Sequence, residues 1–414
     1  MIEPKLRFKA DDGSKFPDWE EHNFGDLYKV CSGYAFKYEN YCDSGVALVN
    51  GQAIQHGCID DNNMNYLPET FLQQYKDFVL KENDIVLGLN RPITNGKLKI
   101  ARVPKEYNNS LLYQRAGKIV CKKAVDDDFS YALLAREIFK FTIKEAAGSD
   151  QPFISTSKLN NWKIIVPSSE QEQQKIAEFL STIDTVIEKQ KETVSAWEER
   201  KEGVMQKLFS QEVRFKADDG SDFTDWEEKK LGDCCSLITK GTTPKEYPEN
   251  GDVNFVRIDC IENGSINISK CLKINEQIHN GELARSVLKE NDLLCSIAGA
   301  LGVVTVVTKD VLPANTNQAL AILRLYESEN VQYISKTLSS YIMKKYIREC
   351  KTVGAQPNLS LGQMRDLSIP YPCSEEQQKI ADCLSSLDEV IEKQKATLAA
   401  WEELKKGLLQ QMFV

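Results

Sequence analysis

The chain has 414 residues, a hydrophobic fraction of 42% and a formal net charge of −9. That length suits two to four globular domains, and no apolar run approaches the ~20 residues of a membrane span. The 12 cysteines are scattered without a CxxC pair and there are only 3 histidines, which excludes the usual zinc sites and secreted disulfide frameworks.

In chain order, residues 1–21 carry the phrase "RFKADDGSKFPDWEE" (Arg7–Glu21). Its opening, "MIEPKLRFKADD", has no apolar signal-peptide core, so a cytoplasmic location without membrane contact is expected. The acidic "PDWEE" reads as a solvated turn rather than a metal site. Residues 22–165 read as a mixed α/β globule. In it "KENDIVLGL" predicts a turn at Asn83–Asp84 followed by a buried strand, and "DDDFSYALLAREIFKFTI" predicts an amphipathic helix capped by Asp. Residues 166–210 predict one long helix, and 211–228 repeat the opening phrase as "RFKADDGSDFTDWEE". Residues 229–371 predict a second globule, with "KENDLLCSIAGALGVVTVV" as turn and strand and "NVQYISKTLSSYIMKKYI" as an Asn-capped helix. Residues 372–414 predict a second long helix.

The two helices are copies. "QKIAEFLSTIDTVIEKQKETVSAWEERKEGVMQKLF" (Gln174–Phe209) recurs as "QKIADCLSSLDEVIEKQKATLAAWEELKKGLLQQMF" (Gln378–Phe413), and Gly148–Pro167 matches Gly354–Pro372 more loosely. Two copies are too few for a solenoid, so a whole unit is duplicated. Ile176, Leu180, Ile183, Ile187, Gln190 and Trp197 fall on one seam with steps of four and three. Ile380, Leu384, Leu387, Ile391, Gln394 and Trp401 repeat it. The a/d pattern is sustained for ~5 heptads with Glu and Lys on its flanks, and it predicts that the helices pack on each other. Antiparallel packing relates the halves by a pseudo-two-fold axis and brings Gln190 to face Gln394. A polar pair there penalises shifted registers. Each helix would be about 50 Å long, a rigid spacer with a globule at each end. In a ring-like reading the phrase at 7–21 follows the end of the second helix as 214–228 follows the first, which puts Met1 near Val414.

Charge is unevenly spread. Residues 22–165 and 229–371 are each roughly +2, while 166–228 are roughly −8. There is no GxxxxGK loop, no GxGxxG after a strand, no HExxH, no GxSxG and no Asn/Asp-Pro-Pro-aromatic motif. Polar loops at matching places offer nucleic-acid contacts instead. "SGYAFKYENY" (Ser32–Tyr41) supplies Tyr34 and Lys37, and "TKGTTPKEY" (Thr239–Tyr247) supplies Lys240, Thr242, Thr243 and Lys245 as phosphate ligands. "GLNRPITNGKLK" adds Asn90, Arg91, Asn95 and Lys97. "YQRAGK" places Gln114 and Arg115, and "NTNQA" places Asn315, Asn317 and Gln318, as readers of base edges.

Two variable globules, each followed by a helix beginning "EQQKIAEFLSTID" or "EEQQKIADCLSSLD", with "QP…S" and a Pro-ended strand before it, resemble the specificity subunit of type I restriction–modification systems. The resemblance covers essentially the whole chain. It implies two α/β target-recognition domains separated by an antiparallel coiled coil, each reading one half of a split, asymmetric duplex DNA sequence. It also implies a subunit without catalysis, metal or cofactor of its own. Two modification subunits would dock on it, bind S-adenosylmethionine and methylate adenine. Restriction subunits using ATP and Mg would join through them, translocating and cleaving DNA. The rival readings are a rod-like interaction protein and a fused methyltransferase or nuclease.

Overall fold

The structure is a computed structural model and describes residues 3–122, 125–146, 152–245, 251–350 and 358–414. The chain divides into two compact units, residues 1–190 with 397–414, and residues 191–396. The divisions fall inside the long helices, Glu170–Phe209 (the central helix) and Ser374–Met412 (the C-terminal helix).

In the first unit an antiparallel four-stranded sheet runs in the order Tyr28–Ser32, Ala116–Cys121, Ile85–Gly88, Ile100–Arg102. Successive side chains of a strand point to opposite faces, and both faces are covered. Ile85 and Leu87 join Phe129, Leu133 and Ile138 of helix Asp127–Ala146, while Val86 joins Val49, Ile54 and Leu112 in a separate core. That is why "DIVLGL" is a continuous apolar run. A smaller sheet places Val46–Val49 antiparallel to Asn65–Leu67 and parallel to Leu111–Leu112. Strand Trp19–Asn23 pairs with Lys163–Pro167 and closes the module.

The second unit repeats this plan with other side chains. Its sheet runs Cys235–Lys240, Leu320–Leu325, Leu293–Ser296, Val304–Val306. Leu293 and Cys295 face Tyr333 and Ile334, and Leu294 faces Val256, Val307 and Ile322. Val253–Val256 lies antiparallel to Leu272–Ile274 and parallel to Ala314–Thr316. Glu227–Lys230 pairs with Ser368–Tyr371.

The helix expected over "NVQYISKTLSSYIMKKYI" is two helices, Val331–Leu338 and Tyr341–Cys350. Ser340 breaks it: its hydroxyl donates to the Thr337 carbonyl at 2.6 Å and accepts the Ile342 N–H at 3.2 Å, the local competition with the helix ladder that Ser offers.

Within each unit the two helices run in opposite directions. In the first, Ile176 and Leu180 share a core with Met412 and Phe413, and Lys405 bonds Asp184. In the second, Leu208 and Phe209 share a core with Ile380 and Leu384, Lys201 bonds Asp388, and Lys395 bonds Glu198 at 2.8 Å. Ile176, Leu180, Ile183, Ile187, Ile380, Leu384 and Ile391 are buried, and Leu387, Gln190, Trp197, Gln394 and Trp401 are half-buried. The first turns of each helix also pack on their own α/β module, since Ile176 and Leu180 lie in one core with Phe129 and Leu133.

The repeated phrase is also a clasp: Asp18, Glu20 and Glu21 are exposed, while Arg7 and Trp19 bind a buried carboxylate. Arg7 donates from Nε to Glu172 Oε1 at 2.7 Å and from Nη2 to Glu172 Oε2 at 2.9 Å, and the Trp19 indole N–H donates to the same carboxylate at 3.2 Å. In the second copy Arg214 donates to Glu376 at 3.1 and 2.8 Å, and Trp226 at 2.8 Å. Both glutamates are fully buried in the first turn of a long helix, where the helix dipole favours an anion. Gln173 and Gln377 cap the adjoining strands by donating to the carbonyls of Pro167 and Pro372, each at 2.9 Å. Strand begins at Trp19 in the first copy and at Glu227 in the second, so a boundary at 21/22 cuts through Trp19–Asn23. Leu6 N donates to Gln411 O at 2.9 Å, and Val213 N to Lys207 O at 3.3 Å, so each phrase follows a helix end as the ring-like reading expects. Met1 lies outside the described residues.

Candidate nucleic-acid interface

In each module two loops far apart in the sequence meet at one end of the four-stranded sheet. In the first, Tyr34 N donates to Leu112 O at 3.0 Å and Gln114 N donates to Tyr34 O at 3.1 Å. Gly33 makes this approach possible, because a Cβ there would lie 2.2 Å from the Leu112 carbonyl oxygen. In the second, Thr242 N donates to Thr316 O at 3.0 Å, and a Cβ on Gly241 would lie 2.1 Å from the same oxygen. A glycine before the polar loop is the requirement both sequences meet.

Tyr34, Lys37, Gln114 and Arg115 are all exposed on the first module. The Tyr34 ring sits 5.0 Å from Phe36 and 4.7 Å from Tyr75, forming an aromatic platform, and Tyr38 beside it is 86% exposed. Asn90 and Arg91 join this edge because Leu89 N donates to Arg115 O at 3.0 Å. Lys97 is exposed on a hairpin of Ile93–Thr94 and Lys97–Leu98, turned by Asn95 and Gly96 at φ 50° and 72°, the Asn-Gly turn that favours positive φ. It faces elsewhere: its charge acts on His56 together with Lys405 and Asp184 of the long helices. Burial is the main cause holding the His56 imidazole below its usual pKa.

On the second module Thr243 donates its hydroxyl to Gln318 Oε1, and Arg285 donates from Nη2 to Thr242 Oγ1 at 3.0 Å. Lys240, Lys245 and Gln318 are exposed; Asn317 is half-buried and its Oδ1 accepts the Ala319 N–H at 3.2 Å, fixing the turn. Residues 246 and 247 of this loop lie outside the described residues. Asn315 does not face out, which corrects its reading as a base contact. It is fully buried, donates to Leu283 O at 2.9 Å and to Ser286 Oγ at 3.4 Å, and lies 2.5 Å from His279 Nδ1. A buried amide with its partners filled has none left for a base. Arg285 is exposed and was not singled out in the sequence, where "GELARSV" carries no motif.

A cleft of about 350 Å³ in the second unit, lined by Lys201, Lys395, Asp388, Ser339 and Tyr341, offers little free charge. Its lysines are paired with Asp388 and with Glu198.

A family model described as the type I restriction modification DNA specificity domain matches residues 17–195 and again 224–400. The MjaVIII specificity subunit of Methanocaldococcus jannaschii is 37% identical over 218 residues, which cover 52% of this chain and 51% of that protein. The EcoAI specificity subunit of Escherichia coli is 31% identical over 172 residues, 41% of this chain and 28% of that one. This chain thus spans about half of the first relative's length and less of the second's. The EcoBI specificity subunit of Escherichia coli is 21% identical over 95% of this chain and 85% of its own. Among solved structures, the S subunit of a type I restriction–modification system from M. genitalium superposes with a TM-score of 0.55 at 18% identity, over 100% of this chain and 99% of that one. A chain from work on complex assembly and conformational transition of the type I R–M system gives 0.56, also at 18%, over 96% and 98%. These two likenesses establish a shared fold. With the specificity-domain model matching most of its length, twice over, this chain belongs to the type I restriction–modification DNA specificity family.

Proposed function

We propose that the chain is the sequence-recognition subunit of a type I restriction–modification complex. Each module reads one half of a bipartite, asymmetric duplex target. The observation that carries this reading is that two modules of one topology present different side chains at the same place. Tyr34 and Arg115 stand on one where Thr242 and Ala319 stand on the other, beside a glutamine common to both (Gln114, Gln318). In each the loop is held by a matching backbone hydrogen bond, Tyr34 N to Leu112 O and Thr242 N to Thr316 O. A constant frame with variable readers is what recognition of two unrelated half-sites requires.

The long helices set the spacing between half-sites, and a polar residue in each seam, Gln190 and Gln394, disfavours shifted registers. Two modification subunits dock on this frame, bind S-adenosylmethionine and methylate adenine. Restriction subunits supply ATP- and Mg-dependent cleavage through them. The chain itself carries no catalysis and acts in the cytoplasm, away from membranes. The family membership and the absence of a sequence motif for nucleotide or methyl-donor binding support this division of labour.

The test is to treat DNA with the chain and its modification subunit and sequence the methylated adenines. One split motif is expected. Methyl transfer by the isolated chain would favour the fused-enzyme reading, and no DNA binding by the complex would favour the interaction protein.

A further inference from the structure

Lys99 is a cation in the wrong surroundings. It is only 9% exposed, and it lies just before strand Ile100–Arg102. Its stem lies against strand Ile85–Gly88: a Cβ on Gly88 would come within 3.0 Å of Lys99 Cβ and 3.2 Å of Cδ, so the glycine leaves it room. The ammonium donates to Gly51 O at 3.2 Å. An ammonium has three N–H donors, and among the described residues no other acceptor and no carboxylate meets Lys99. Burial pushes its pKa down, and the charge of Arg91 pushes it further. A buried charge left without a counter-charge is expensive.

The cations around it are also unpaired. Arg91 and Arg115 are exposed, and among the described residues neither side chain has a hydrogen bond or ion pair. Arg115 O would lie 2.9 Å from a Cβ on Gly51, so the peptide that receives the Lys99 ammonium also abuts Arg115. Arg91 is held at φ 44°, with its N–H on Pro152 O at 2.9 Å. The Arg91 charge thus acts on the Lys99 ammonium, beside the edge where Tyr34, Gln114 and Asn90 reach the surface.

The second module shows that the fold does not need this lysine. Gly88 N donates to Lys99 O at 2.9 Å, and the equivalent bond runs from Ser296 N to Val303 O at 2.9 Å. There Val303 takes the place of Lys99. Ser296 replaces Gly88 and fills the space with its hydroxyl, which accepts the Val303 N–H at 2.8 Å and donates to Ala300 O at 2.5 Å. A half-buried valine serves the architecture at the matching place, so the more deeply buried lysine serves something else.

We infer that Lys99, with Arg91, forms a phosphate site on the first module alone, which takes one phosphodiester group of the duplex that this module reads. The inference rests on the DNA-recognition reading above. Phosphate brings the missing acceptors and the missing negative charge together, and the Arg91 guanidinium suits its oxygens bidentately. The site therefore fixes the register of the first module on its half-site without reading a base.

The test uses the full chain assembled with its modification subunits, on a duplex carrying the sequence that the complex methylates. Lys99→Met is expected to weaken binding about tenfold and to lower the salt slope by about one, with base preference unchanged. Its thermal midpoint should equal or exceed that of the parent, since Val303 shows an apolar side chain fits. Lys99→Gln, closer in polarity, serves as the second variant. Neutralising phosphates one at a time as methylphosphonates should find one position that weakens the parent as much as Lys99→Met does and adds nothing to the variant. Unchanged affinity and slope in both variants would overturn the inference while leaving the DNA reading intact. So would stabilisation of the parent by millimolar inorganic phosphate with no methylphosphonate coupling, which would mark a free-anion site. A parent complex that binds no duplex would overturn the DNA reading and the phosphodiester with it.

Discussion

The two modules differ in many exposed side chains and share much of the bonding that builds them. Gly33 and Gly241 admit the same loop crossing, Arg7–Glu172 and Arg214–Glu376 make the same clasp, and Asp184–Lys405 reappears as Asp388–Lys201. The lesson is that the duplicated parts of the sequence are frame and the divergent parts are readers. Where the modules depart inside the frame, as with Lys99 against Val303, the departure points to a task rather than to the fold.

The strongest way to break the comparison is to break the clasps. Arg7→Ala strands a fully buried Glu172, and Arg214→Ala strands Glu376. Removing one partner of a buried pair costs about 3–5 kcal/mol. The first change is expected near the top of that range and the second near the bottom, because the Arg7 side chain is 13% exposed and that of Arg214 23%. Chemical denaturation of each variant measures this. A large loss in one and none in the other would show that the clasps are not equivalent.

Readers should behave differently from frame. Gln318→Ala is expected to relax base preference in one half-site by about 1–3 kcal/mol, whereas Lys240→Ala or Lys245→Ala weakens all sequences alike and lowers the salt slope by about one each. Binding to a panel of single-base variants at several salt concentrations separates them. Uniform losses from all three changes would contradict the division into readers and phosphate ligands.

The smallest effect sharpens the comparison at one ion pair. Burial alone would raise the Asp388 pKa, but hydrogen bonds from Lys201 and Lys336 outweigh it and hold the carboxyl below its usual value. Its stabilising contribution is therefore present above the ordinary Asp pKa and is lost as pH falls through the depressed one. Asp184 bonds Lys405 in its unit, and among the described residues it has no counterpart to Lys336. Asp388→Asn should cost about 1–2 kcal/mol at neutral pH and less in acid, and Asp184→Asn should cost less at neutral pH. Equal costs at both pH values would remove the distinction.

Much of the frame was legible because it is written locally. The heptads, the duplicated phrases and the turn at Asn83, with φ 68°, need only neighbours in sequence. The sheet order was not legible, since it pairs strands such as Ala116–Cys121 with Tyr28–Ser32 across most of a module. The clasp was missed because Arg7 and Glu172 are 165 residues apart. Asn315 looked like its neighbour Gln318, yet its strand turns it inward onto Leu283 and Ser286 while Gln318 sits in the turn beyond. Ser340 splits a helix whose apolar period runs straight through it. Lys99 sits close to exposed polar residues in sequence, and only tertiary packing buries it.

The central claim is that each module reads one half-site independently. Residues 22–165 should be exchanged for the corresponding stretch of another family member, the chain assembled with its modification subunits, and the methylated adenines sequenced. The account predicts that one half of the split motif changes while the other half and the spacing stay. A change in both halves, or in neither, would contradict it.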